Sequence, residues 1–144
     1  MEEPYQVRSL EMIPEFDDSG YLPPGIHRAT LEEIAERFGR EPELRQTQAE
    51  SLRWLLDLAK RVGVQRLIID GSWVTDKWEP NDVDCVLLAS QDFPRDKAAE
   101  LELRDGLPFI HLAIVDEVLF ERYVQVIFGT DRKTIPKGMI EVIL

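Results

Sequence analysis

Residues 64–88 read VQRLIIDGSWVTDKWEPNDVDCVLL. Val64 to Ile69 and Val83 to Leu88 are short, β-branched apolar runs of the kind that form buried strands. Between them stand Gly71-Ser72, nine intervening residues, and two aspartates, Asp82 and Asp84, separated by Val83. Side chains at i and i+2 of a strand share a face, so Asp82 and Asp84 can converge while Val83 turns into the core. At the other end, Gly71 lets the backbone approach a phosphate closely. Ser72 offers a hydroxyl and an amide at a helix start, where phosphates are favoured. Magnesium takes hard oxygen ligands, commonly one or two carboxylates plus substrate phosphates. The segment therefore predicts a sheet-mounted cradle for a nucleoside triphosphate and Mg2+. Taken singly, Asp-x-Asp is an ordinary exposed strand edge and Pro80-Asn81-Asp82 is ordinary turn chemistry. A strand before Gly-Ser and another after the acids favour the functional reading.

Working outward, Pro42 and Gly63 bracket a helix with an apolar stripe of Leu52, Leu55, Leu56 and Ala59. Before it, Thr30-Leu31-Glu32-Glu33 has the form of a capping box and opens a helix that stops at Gly39. Residues 14–26 gather prolines, glycines and aspartates, so residues 1–29 read as an arm or loop packed on a single domain over 30–144. Downstream, Pro94 opens a charged helix over 94–104, and Pro108 to Val115 gives a third strand. Asp116 to Val126 is a helix with acids at its positive end, and Gly138 to Leu144 a last strand. The order predicts an α/β (α+β) fold with a mostly antiparallel or mixed sheet of about four strands flanked by helices.

Composition limits the function classes. The chain has 144 residues, 44% of them hydrophobic, enough for one domain with a real core. Its 28 acids against 17 bases give a net charge of −11, spread evenly along the chain, which opposes broad binding to duplex DNA. Arg132, Lys133 and Lys137 form a local basic cluster that reads as a solvated loop. Cys85 is the lone cysteine, which excludes an internal disulfide framework and fits a reducing cytoplasm. The acidic start MEEPYQVRSLEMIPEF lacks the basic beginning and apolar centre of a signal peptide. No apolar run approaches the ~20 residues that cross a bilayer. A soluble, cytoplasmic protein without a membrane partner is expected.

The spacing of Gly71-Ser72 and Asp82-Val83-Asp84, followed by Cys85-Val86-Leu87-Leu88, resembles the signature of the nucleotidyltransferase superfamily. Its fold is that of the DNA polymerase beta palm, and its minimal bacterial members include antitoxin-type proteins. FDDSGYLPPGIHRATLEE, DGSWVTDKWEPNDVD and FGTDRKTIPKGMIEVIL together resemble a short, poorly characterised bacterial family of nucleotidyltransferase-like proteins. The resemblance implies transfer of a nucleotide from a nucleoside triphosphate to a protein or RNA hydroxyl, in a toxin-antitoxin type of system with a protein partner. It implies triphosphate contacts from Gly71 and Ser72, with metal on Asp82 and Asp84.

The superfamily supplies a third carboxylate from a later strand. The matching position here is His111, and Asp116 and Glu117 lie just beyond the strand. Three readings stay open: His111 serves as base or ligand, Asp116 reaches in, or the pocket persists without catalysis. The last makes the protein a nucleotide- or protein-binding module. Lys77, between the two halves of the motif, is a candidate phosphate contact and equally a solvated loop lysine. Trp73 and Trp78 read as base-stacking groups or as core.

Overall fold

The computed structural model describes residues 13–144; the start discussed above for signal-peptide character falls largely in residues 1–12, outside the described residues. Thr30 caps the first helix, α1 (Leu31–Phe38): its hydroxyl accepts from the Glu33 amide at 3.2 Å, and the Glu33 carboxylate accepts from the Thr30 amide at 2.8 Å. The long helix α2 spans Glu43–Val62 and ends at Gly63, where φ is 90°. Pro42 stands one position before its first turn, as the cap residue. β2 (Val64–Asp70) and β3 (Val83–Ala89) bracket the motif, joined through a short 3-10 turn at Ser72–Val74. α3 (Lys97–Asp105) begins after Asp96, whose side chain accepts from the Ala99 amide at 3.0 Å, so the cap lies two residues beyond the expected Pro94. β4 is Ile110–Val115. Asp116 caps α4 (Glu117–Arg122), which runs on into a π turn at Tyr123–Ile127; β5 is Gly138–Val142.

A further strand, β1 (Gly25–Ala29), lies within the segment expected to be arm or loop. Among the described residues the sheet thus has five strands, in the order β1-β5-β2-β3-β4, rather than about four. GIHRA has no apolar alternation, and only Ala29 is buried. Its extended form comes from parallel pairing with β5, from Gly25 opposite Gly138 to Ala29 opposite Val142, a partner more than 100 residues away. β2 is antiparallel to both β3 and β5, and β3 is parallel to β4, so the architecture is mixed α+β.

The strands sort their side chains by parity. Leu67, Ile69, Val83, Cys85, Leu87, Ile140 and Val142 join the core under α1, α2 and α3. Ile68, Val86, Leu88 and Met139 form a smaller core with Phe120 of α4 and Phe128. Asp70, Asp84 and His111 share the parity of Ile68, Val86 and Ala113, and therefore emerge on the α4 side of the sheet.

Candidate functional site

At Gly71 the chain leaves β2 with φ 82° and ψ −169°, a conformation suited to glycine. A Cβ at this position would overlap the Asp84 carboxylate, so the bare backbone is what lets the turn pass against that side chain. Trp73 is fully buried, its ring centroid 5.7 Å from that of Phe38. It belongs to the core and is not a base-stacking group. Trp78 is exposed and lies outside the cleft described below.

The segment between the motif halves is held from α2 by two buried polar side chains. The Arg45 guanidinium donates to the carbonyls of Phe38 at 3.0 Å, Trp73 at 2.6 Å, Thr75 at 3.0 Å and Lys77 at 2.6 Å. One turn later Gln48 donates to the Pro80 carbonyl at 2.7 Å. Burial pushes the Arg45 pKa below its usual value. Neither residue was foreseen as part of the site. The available signal was positional: 45, 48, 52, 55 and 59 follow one helical face, so both polar groups lie in register with the apolar stripe.

Parallel pairing of β3 with β4 places His111 beside Asp84, with Nδ1 3.0 Å from Asp84 Oδ1. Asp82, Asp84 and His111 bring ligand-type atoms within 4.8 Å of one another, and among the described residues no other acid, histidine or cysteine joins such a group. Burial, then the neighbouring Asp84 charge, raises the Asp82 pKa above the usual carboxylate range. Asp116 does not reach in. It lies five residues beyond His111, roughly 17 Å along an extended strand, and its carboxylate accepts from the Leu119 amide at 3.0 Å.

Gly71, Ser72, Lys77, Asp84 and His111 all line one cleft of about 1060 Å³, while Asp82 stands beside it in the three-residue cluster. Tyr123, Ile127 and Phe128 form an apolar wall, and Tyr21, Asp131 and Arg132 belong to another side. The Tyr21 hydroxyl donates to Asp131 at 2.7 Å, joining the segment before β1 to the loop before β5.

The floor holds a pair that sequence reading missed. Lys137 Nζ lies 2.5 Å from Asp70 Oδ2, with the side chains 10% and 5% exposed. Asp70 Oδ1 has no hydrogen-bond partner among the described residues. Burial pushes the Asp70 carboxyl up to about 6, outweighing the opposing pull of Lys137. The solvated-loop reading is corrected for Lys137. Gly138 starts β5 and donates its amide to the Leu22 carbonyl at 2.9 Å, which draws the preceding lysine into the interior.

Two carboxylates suit the Mg2+ that the resemblance implies, but the imidazole beside them does not, since Mg2+ takes oxygen ligands. Lys77, Arg132 and Lys137 supply cationic charge to the same cleft. Compared with known proteins, the chain matches none of the curated proteins and none of the solved structures. Residues 14–143 match a family of unknown function, DUF6932, and the chain belongs to that family.

Proposed function

We propose that the cleft binds a nucleoside triphosphate with a divalent cation, on a nucleotidyltransferase-like fold, and transfers the nucleotide to a protein or RNA hydroxyl. The observation that carries this reading is the convergence of the Gly71-Ser72 turn, Asp84 and His111 on one cleft that also holds three cations. Gly71 and Ser72 would contact the phosphates, with Lys77 at the mouth. In the transfer, the acceptor oxygen bonds to the α-phosphorus, pyrophosphate leaves, and the hydroxyl proton passes to solvent or a nearby base. The apolar wall of Tyr123, Ile127 and Phe128 supplies surface for the nucleoside.

A second reading has its own support. His111 stands beside Asp84, at the position that the resemblance matches to the superfamily's third acid, and this supports a module that binds a nucleotide, or a protein partner, without turnover.

Calorimetric titration with each of the four common ribonucleoside triphosphates, with and without Mg2+, tests the pocket. Cation-dependent heat is expected in the native chain and not in the Asp82→Asn/Asp84→Asn variant. Heat that survives in the variant would remove the acids from the site, and no heat with any nucleotide would leave protein binding as the reading. Transfer of label from an α-labelled triphosphate to protein or RNA then separates turnover from binding.

A further inference from the structure

We propose that Asp82, Asp84 and His111 form a site for a divalent first-row transition metal, with Mn2+ preferred over Mg2+ because the imidazole is a ligand. The inference rests on the cation site of the reading above, and does not require the nucleotide.

The donor set is the first argument. Two carboxylates and one imidazole make a mixed oxygen and nitrogen set. Carboxylates serve Mg2+ and Mn2+ alike, whereas an imidazole nitrogen suits the transition metals. Geometry is the second. The ligand atoms lie within 4.8 Å of one another, so a closure of about 0.6 Å by side-chain rotation brings the farthest pair inside the roughly 4.2 Å that opposed ligands with bonds of about 2.1 Å span. The His111 side chain is 79% exposed and among the described residues its polar contact is with Asp84 alone, so its ring can exchange that hydrogen bond for an ion at little cost. Asp84 is 32% exposed and open to the same cleft.

A third, independent observation lies behind the cluster. Asp70 pairs directly across the β2–β3 ladder with Asp84 and lines the same cleft. Its side chain is 95% buried, and Oδ1 has no hydrogen-bond partner among the described residues. Lys137 answers only one of its oxygens. The Asp70 and Asp84 side chains stand on one face, and a cation at Asp84 would offset that concentration of acid.

The test uses the metal alone with the full chain. Binding of Mn2+ is followed by loss of the free-ion paramagnetic resonance signal, and Mg2+ is titrated as competitor. The native chain is expected to bind one Mn2+, which the Asp82→Asn/Asp84→Asn variant does not. His111→Asp converts the set to three carboxylates and is expected to lower the Mn2+ to Mg2+ preference by about tenfold or more. His111→Gln is expected to weaken Mn2+ without improving Mg2+. Because His111 is exposed on an edge strand, an unchanged far-ultraviolet spectrum should accompany both changes.

An unchanged Mn2+ to Mg2+ ratio in His111→Asp, or no Mn2+ uptake by the native chain, would overturn the inference. Failure here together with Mg2+-dependent nucleotide heat would leave the triphosphate reading standing. Mn2+ uptake with the ratio shift but no nucleotide heat would do the reverse.

Discussion

A carboxylate as enclosed as Asp70 makes the protein's stability depend on pH in an unusual direction. Its folded pKa of about 6 lies above the ~3.9 of an unfolded aspartate. Between those values the folded chain keeps a proton that the unfolded chain has lost. Its contribution is therefore complete below about pH 4 and lost as pH rises through 6. Asp82, also raised, has the same sign. Urea unfolding at pH 5 and pH 7.5 should give Asp70→Asn a gain over the native chain that is larger by roughly 1.4 kcal/mol at the higher pH. No difference between the two pH values would mean that Asp70 stays ionised throughout. Lys137→Met should cost about 3–5 kcal/mol at pH 7.5, since it leaves a buried charge unpaired, and less at pH 5. Gly71→Ala acts by a different route. It places a side chain at positive φ against the Asp84 carboxylate, and should lower stability by about 1–3 kcal/mol while abolishing Mn2+ uptake. Native uptake by that variant would show that Asp84 can move without consequence. The acids and the Gly-Ser turn were legible because their chemistry depends on spacing within one short stretch. The Asp70–Lys137 pair was not, because its members are 67 residues apart and a lysine beside Arg132 and Lys133 reads as solvated.

Among the elements, α2 connects the core to the cleft. Its apolar stripe anchors it on the sheet, while Arg45 and Gln48 on the same face hold the 72–80 segment by its carbonyls. Arg45→Met should destabilise the fold by about 3 kcal/mol or more, because each buried carbonyl left without a donor costs about 1–3 kcal/mol. Arg45→Lys should recover only part of this, since one ammonium cannot reproduce the planar fork. Urea denaturation of both variants checks the order, and equal stability of native and Arg45→Met chains would show that water replaces the guanidinium. Elements written in local pattern were foreseen: the Thr30 capping box, the β2 and β3 runs, and a helix opening at Asp116. β1 was missed because five residues with a single buried side chain carry no periodicity, and only β5 makes them a strand. The residue pattern likewise could not announce that a polar pair in α2 would be spent on backbone carbonyls.

Taken whole, the molecule is an acidic body with a few cations gathered in one cleft. At a net charge of −11, fluorescence anisotropy of a labelled DNA duplex at 0.15 M salt should stay flat as the chain is added. A saturable rise would place more positive surface on the molecule than its composition suggests. None of the helices among the described residues is long and apolar enough to cross a membrane. The position of β5 has a consequence during translation. The strand sits between β1 and β2, yet it is the last of the five to be made. Until residues 138–142 leave the ribosome, β1 has no partner and one edge of β2 stays open, although β2, β3 and β4 can already associate. The nascent chain therefore presents a bare apolar strand edge to its surroundings, which makes this interval the time when a chaperone would protect it from aggregation.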